Sequence, residues 1–220
     1  MSNTDVTEKL HNADAARNTA GKSTVHIRTM AQVAMLGAIS VILMLLEFPL
    51  PFLAPPFYEL DFSEVPVLIG TFAMGPLAGA TIELIKILLN FIINGTITAG
   101  VGEIANFIIG CSLILPAGII YKKHKTRKNA LIGMVIGTLT MIVIGCFVNA
   151  FVLLPAYSAG LGIPMETLVG MGTAINPAIT NVGWFVVLAV APFNLVKGVL
   201  VSAVTILLYK RVSVIIKGNH

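Results

Sequence analysis

The sequence predicts an all-α integral membrane protein with six transmembrane helices and both termini in the cytoplasm. Three observations carry this. The 220-residue chain is 56% hydrophobic and only 11% charged, against roughly 25% charged residues in soluble domains. Its mean hydropathy is +0.92, as expected of a fold that needs apolar side chains outside as well as inside. Its basic residues stand in clusters on alternate connections between apolar runs.

The apolar runs cover 29–46, 57–74, 77–93, 104–121, 130–154 and 182–209. A helical span needs about 20 residues, with a range of about 17–25. Five runs meet this directly. The second is fully apolar only over 65–74 and reaches spanning length if 57–64, with three acids, is counted. Lys and Arg collect on the cytoplasmic side of a membrane. The N-terminal set Lys9, Arg17, Lys22 and Arg28, the 122–128 cluster, and Lys210, Arg211 and Lys217 all fall inside only if 65–93 forms two helices. Gly75-Pro76 supplies the turn between them. The other connections, 47–64, 94–103 and 155–181, hold no Lys or Arg but six acids, Glu47, Glu59, Asp61, Glu64, Glu103 and Glu166. The expected organisation is a polar cytoplasmic tail (1–27), a six-helix membrane domain (28–215) and a short cytoplasmic tail (216–220).

Twelve of the fourteen Lys and Arg residues are thereby cytoplasmic; Lys86 and Lys197 are not. A Lys at a helix centre costs about 2.5–3.5 kcal/mol on insertion scales, so each needs a partner or a task. Lys86 follows Glu83 by three residues and can pair with it on one helix face. That reads as an internal ion pair packing the third helix, with a protein contact or a proton path as the alternatives. Lys197 has no acid at helical spacing. It lies about 20 Å from the cytoplasmic end of its helix, with Asn194 a turn further out, and Asn149 lies about 28 Å from the inner end of the fifth helix. Asn106, entering from outside on the fourth helix, is at a similar level. Pro192 should bend the sixth helix and free carbonyls there. Either these groups are interhelical glue with a snorkelling lysine, or they line an outward-opening polar pocket with one cation and several amides. Convergence in depth from separate helices favours the pocket. It suits a neutral polyhydroxylated or heterocyclic ligand. Phe57, Tyr58 and Trp184 could wall it or form an interfacial aromatic belt.

Catalytic and metal signatures are missing. The stretch 16–23 fits only a relaxed P-loop pattern, with Ala16 where Gly is wanted and no α/β fold behind it. No Gly-x-Ser-x-Gly, His-Glu-x-x-His or metal-spaced Cys pair occurs. His11, His26, His124 and His220 all lie outside the spans. The chain is expected to be no enzyme, with no metal site and no nucleic-acid partner. Cys111 and Cys146, in apolar runs, read as small core residues. Ala34 and Ala38 on the first helix, and Gly133 and Gly137 on the fifth, are small-residue pairs that permit close helix approach.

The stretch 58–79, YELDFSEVPVLIGTFAMGPLAG, resembles the signature region of the riboflavin-binding S components of energy-coupling factor (ECF) transporters. Glu83-Leu-Ile-Lys86 with Asn90, Ala105-Asn-Phe107, Asn149 before Val-Leu-Leu-Pro155, and Pro192-Phe-Asn-Leu-Val-Lys-Gly198 agree, in order, over 28–215. The resemblance implies a cell-membrane, multi-pass subunit that captures riboflavin from outside. It would deliver the vitamin with a membrane T component and two cytosolic ATPases. Riboflavin would be transported ligand, and no cofactor is expected. Flavin-binding groups would be Asn149, Asn194 and Lys197, joined by Asn106 of the bottom-up pocket. The loop around Phe57, Tyr58, Glu59, Leu60 and Asp61 would close over the ligand. Ala34 and Ala38 would meet the T component. The polar tail is extra to the family pattern, and the long 155–181 connection could form part of the lid. The alternative class is an ion-gradient-driven secondary transporter of a small polar ligand, for which Glu83 is the candidate acid. No inverted repeat supports it.

Overall fold

The computed structural model describes residues 27–96 and 98–217, with side chains up to 208. The polar tail apart from Ile27, its 16–23 stretch and residues 218–220 lie outside the described residues.

Five helices are long and apolar enough to span a membrane, and a sixth is shorter. Helix α1 (Ile27–Met44) leads into a loop, L1, over 45–63. Inside L1, β1 (Phe48–Pro49) pairs antiparallel with β2 (Glu59–Leu60). The short helix α2 (Glu64–Met74) turns at Gly75 into α3 (Pro76–Asn94). Next come α4 (Val101–Lys123) and α5 (Arg127–Val148). A π-helical turn (Asn149–Leu153) joins α5 to α6 (Leu154–Leu161), making one 35-residue span from Arg127 to Leu161. Helix α7 (Met165–Ile175) crosses the 155–181 connection. Helix α8 (Val182–Phe185) runs through a second π-helical turn (Val186–Val190) into α9 (Ala191–Lys217).

Most of this follows the expected spans. The predicted turn at Gly75-Pro76 is present: Gly75 has φ 108, a conformation L side chains rarely adopt, and Pro76 opens α3, where its missing N–H costs nothing. Three expectations change. The second span is not helical over 57–63; α2 starts only at Glu64, because the acidic, Pro-rich stretch before it folds into L1. The connection 155–181 contains a helix, α7, whose Leu168 packs inward. The fifth span extends to Leu161.

Packing forms two apolar clusters. The larger joins α2, α3, α4, α5 and α9 through Leu68, Phe72, Ile82, Leu113, Ile114, Met141 and Val201. The second lies under L1, where Leu60, Leu154, Leu168, Ile179 and Phe185 meet. Helix α2 is enclosed: every residue from Glu64 to Phe72 is buried. Close approach explains two small-residue sets. A Cβ on Gly79 would meet Thr71, so α2 and α3 form a tight hairpin. The backbone oxygens of Ala117 and Leu113 press on Gly133 and Gly137, so that pair serves intramolecular α4–α5 packing. Ala34 and Ala38 are exposed on α1. Cys111 and Cys146 are half-buried, each beside a different cluster.

Candidate ligand site

The two-residue ladder sets Phe48 opposite Leu60 and Pro49 opposite Glu59. It folds 50–58 back, with Tyr58 N–H donating to the Pro55 carbonyl at 2.9 Å. This brings an aromatic pair inward. The Phe57 and Tyr58 ring centroids are 4.8 Å apart. Phe57 meets Tyr157 at 5.4 Å, and Tyr58 meets Phe193 at 5.6 Å.

Between L1 and the helices lies a cavity of about 310 Å³. Phe57, Tyr58, Glu59, Asp61, Asn106, Asn149, Asn194 and Lys197 all line it. Leu60 does not. Neighbouring strand residues face opposite ways, and Leu60 is the inward one, 1% exposed in the second apolar cluster. Trp184 is also absent from the lining and is half exposed. Phe193 and Tyr157 line the cavity instead. The lining also holds further polar residues: Asn90 and Asn94 from α3, Thr96 and Thr98 from the following turn, and Glu103 from α4. Asn94 donates to Asn90 at 3.0 Å and Thr96 to Glu103 at 3.0 Å. Sequence reasoning treated 94–103 as a connection, although Asn94, Thr96 and Thr98 within it, close after Asn90, were a usable signal.

The polar groups are not idle. Tyr58 OH donates to Asn149 Oδ1 at 2.5 Å, and Asn149 Nδ2 donates to the Gly145 carbonyl at 2.7 Å. Asn194 Nδ2 donates to the Val190 carbonyl at 3.0 Å, at the end of the π-turn before Pro192. This is a bond back to the carbonyl four residues earlier and not to Leu188, the carbonyl whose partner Pro192 removes. Lys197 is not the lone cation the sequence suggested: its Nζ lies 2.8 Å from Asp61 Oδ2. Asp61 is 136 residues away, so helical spacing could not reveal it.

Deeper, Lys86 lies 2.8 Å from Glu83 Oε1, as expected, but also 2.8 Å from Glu64 Oε1. All three side chains are sealed from solvent. The Glu83 oxygen is within ion-pair distance yet poorly angled, and Glu83 Oε2 and Glu64 Oε2 have no protein partner. One ammonium thus serves two carboxylates. The Glu83 carboxylate lies where a Cβ on Gly110 of α4 would be, 2.2 Å from its Oε1.

At the cavity rim, Glu47 lies diagonally across the ladder from Glu59 and opposite Asp61. Partial covering of its carboxyl within L1, and then the charge of Glu59, push it up to about 7, although the residue as a whole remains exposed.

A roofed polar cavity inside a six-span helical bundle defines a solute-binding membrane subunit. The chain belongs to the substrate-specific components of ECF transporters: the family model described as "ECF transporter, substrate-specific component" matches residues 28–209. It is 37% identical over 190 residues to the riboflavin transporter RibU of Staphylococcus aureus (strain TCH60), covering 86% of this chain and 93% of that one. It is 35% identical over 184 residues to the riboflavin transporter FmnP of Bacillus subtilis (strain 168), covering 83% and 90%. A solved structure of the S component of a bacterial ECF transporter superposes with a TM-score of 0.69 at 37% identity, covering 88% of this chain and 99% of that one. The protein is a multi-pass protein of the cell membrane.

Proposed function

We propose that residues 28–215 capture riboflavin from the extracellular side and deliver it inward with a membrane T component and two cytosolic ATPases. The protein itself performs no catalysis and needs no cofactor. The observation that carries this reading is the mixed lining of the cavity. It offers flat rings, Phe57, Tyr58 and Phe193, with the amides Asn149 and Asn194 and the ammonium of Lys197. These suit a flat heterocycle with ring carbonyls and nitrogens. The same lining holds Asn90, Asn94, Thr96 and Thr98, which suit a polyhydroxylated chain. Riboflavin has both parts, and the relatives above are riboflavin transporters by name.

Titrating detergent-purified protein into riboflavin tests this through quenching of flavin fluorescence, with thiamine and biotin as competitors. Saturable one-to-one quenching that neither competitor reverses is expected. Asn194→Ala should weaken binding by about tenfold, the loss of a hydrogen bond or two. No quenching by folded, ligand-free protein would sink the reading.

One observation favours the second class, the ion-coupled carrier: the triad holds one carboxylate more than its ammonium neutralises. Riboflavin uptake into liposomes containing only this protein, driven by a proton or sodium gradient, would establish that class. No uptake without ATPase partners is expected.

A further inference from the structure

Lys86 has no place in the ligand reading above, yet it is joined to the cavity by a chain of contacts. It donates to Glu64 Oε1 at 2.8 Å and to Ser63 Oγ at 3.2 Å. Ser63 in turn donates its backbone N–H to Asp61 Oδ1 at 2.7 Å. The other Asp61 oxygen receives Lys197 Nζ at 2.8 Å. The path crosses from α3, through 61–64, to α9. Asp61, Ser63, Glu64 and Lys86 are each 3% exposed or less.

What makes the path matter is that backbone hydrogen bonds do little to hold 61–63, although Phe62 packs against both apolar clusters. The β-ladder ends at Leu60 and α2 begins at Glu64. Between them stands one backbone turn bond, Val65 N–H to the Phe62 carbonyl. Ser63 occupies the cap position of α2, but its hydroxyl makes no cap bond. It accepts from Lys86 instead. The position of the Asp61 carboxylate therefore depends on side-chain contacts, made directly from α9 by Lys197 and from α3 by Lys86 through Ser63.

We propose that Lys86 is a positioning residue for the ligand cavity: by holding Ser63 and Glu64 it fixes Asp61, and through Asp61 it sets the ammonium of Lys197 that faces the ligand. This rests on Lys197 meeting the ligand, as read above. It gives the buried lysine a task beyond packing α3. Lys86 itself does not line the cavity, whereas Glu64, which it holds, does.

Two readouts test it, one free of ligand. Hydrogen exchange followed by mass spectrometry on purified protein should speed up over 57–63 in Lys86→Met and in Ser63→Ala, with little change over α5 and α9. Ser63→Ala leaves the ion triad whole, so it decides the matter if Lys86→Met fails to fold. Unchanged exchange over 57–63, or a rise spread evenly over the bundle, would overturn the proposal whatever the ligand is. The second readout is a double-mutant cycle on riboflavin affinity. Lys86→Met should cost about tenfold and Ser63→Ala about threefold, as expected for lost buried hydrogen bonds. In a Lys197→Met background each loss should shrink to less than about twofold, because residues acting through one another are not additive. Undiminished losses there would reduce Lys86 to a packing role. If the wild type binds no riboflavin while exchange over 57–63 still responds, the ligand assignment falls and the positioning stands.

Discussion

Asn149 gives both ends of its amide to the protein, one to Gly145 and one to the hydroxyl of Tyr58. A ligand reading Asn149 must compete with that hydroxyl. Tyr58→Phe removes the competitor and keeps the ring contacts with Phe57 and Phe193. A net hydrogen bond is worth about 0.5–1.5 kcal/mol, so riboflavin should bind roughly 2- to 12-fold more tightly. Stopped-flow fluorescence reads this; weaker binding would mean that the hydroxyl serves the ligand itself. Glu47 gives a pH dependence. Its carboxyl is raised from 4.5 to about 7 by burial and by Glu59, so the folded hairpin holds more protons than the opened one between those values. Stability then falls as pH rises: the contribution is full below about 4.5 and lost by about 7. Riboflavin should therefore dissociate faster at pH 8 than at pH 5, and Glu47→Gln should flatten the difference. The Glu47 side chain is exposed, so added salt will shrink the effect. At this scale the sequence was legible where a residue's task is set by its own helix. The depth of Asn149 and Asn194, which places them in the cavity lining, and the Glu83–Lys86 pair could be read that way. Lys197–Asp61 and Lys86–Glu64 were not, because their partners arrive from distant parts of the chain.

Among the elements, α4 and α5 depend on backbone contact. A Cβ on Gly137 would sit 2.3 Å from the Leu113 carbonyl oxygen, which cannot rotate away. Ala would gain about 1 kcal/mol in helix propensity, but overpacking typically costs 1–3 kcal/mol. Gly137→Ala should therefore lower the melting temperature in detergent. Gly170→Ala on exposed α7, where a Cβ meets nothing within 4 Å, should not. The Gly75-Pro76 turn was readable because both residues have local conformational demands. The two π-helical turns were not, although each is followed within two residues by a proline, Pro155 or Pro192. Proline announces a lost hydrogen bond, and tertiary packing decides how the helix absorbs it. The β1–β2 ladder was equally hidden. Two residues per strand leave no periodic pattern, and Pro49 argues locally against a strand.

For the molecule as a whole, the cavity and the small-residue face of α1 are separate. The cavity is built from L1, α3, α4, the turn between them, α5 with its π-helical turn, and α9, together with Met44 at the end of α1, Glu64 of α2 and Tyr157 of α6. Ala34 and Ala38 lie on the exposed face of α1, in keeping with the proposed contact to a T component. Ala34→Trp should leave riboflavin affinity unchanged within about twofold and abolish co-purification with the T component and ATPases, since one bulky side chain prevents close helix approach. Loss of binding instead would tie α1 to the cavity. The six-span architecture was legible from composition, run length and basic clusters, which are properties of the whole chain. Helix α2 is where this reading strained, and its shortness reaches back to biosynthesis. Eleven residues rise only about 16 Å, roughly half of a 30 Å hydrocarbon core. Such a segment cannot be retained by the insertion machinery on its own. It must wait for α3 and enter with it as a helical hairpin closed at Gly75-Pro76. A nascent chain stalled with α2 emerged but α3 still in the ribosome should therefore have a single stable membrane anchor, α1, and would gain two more together once residue 94 is exposed.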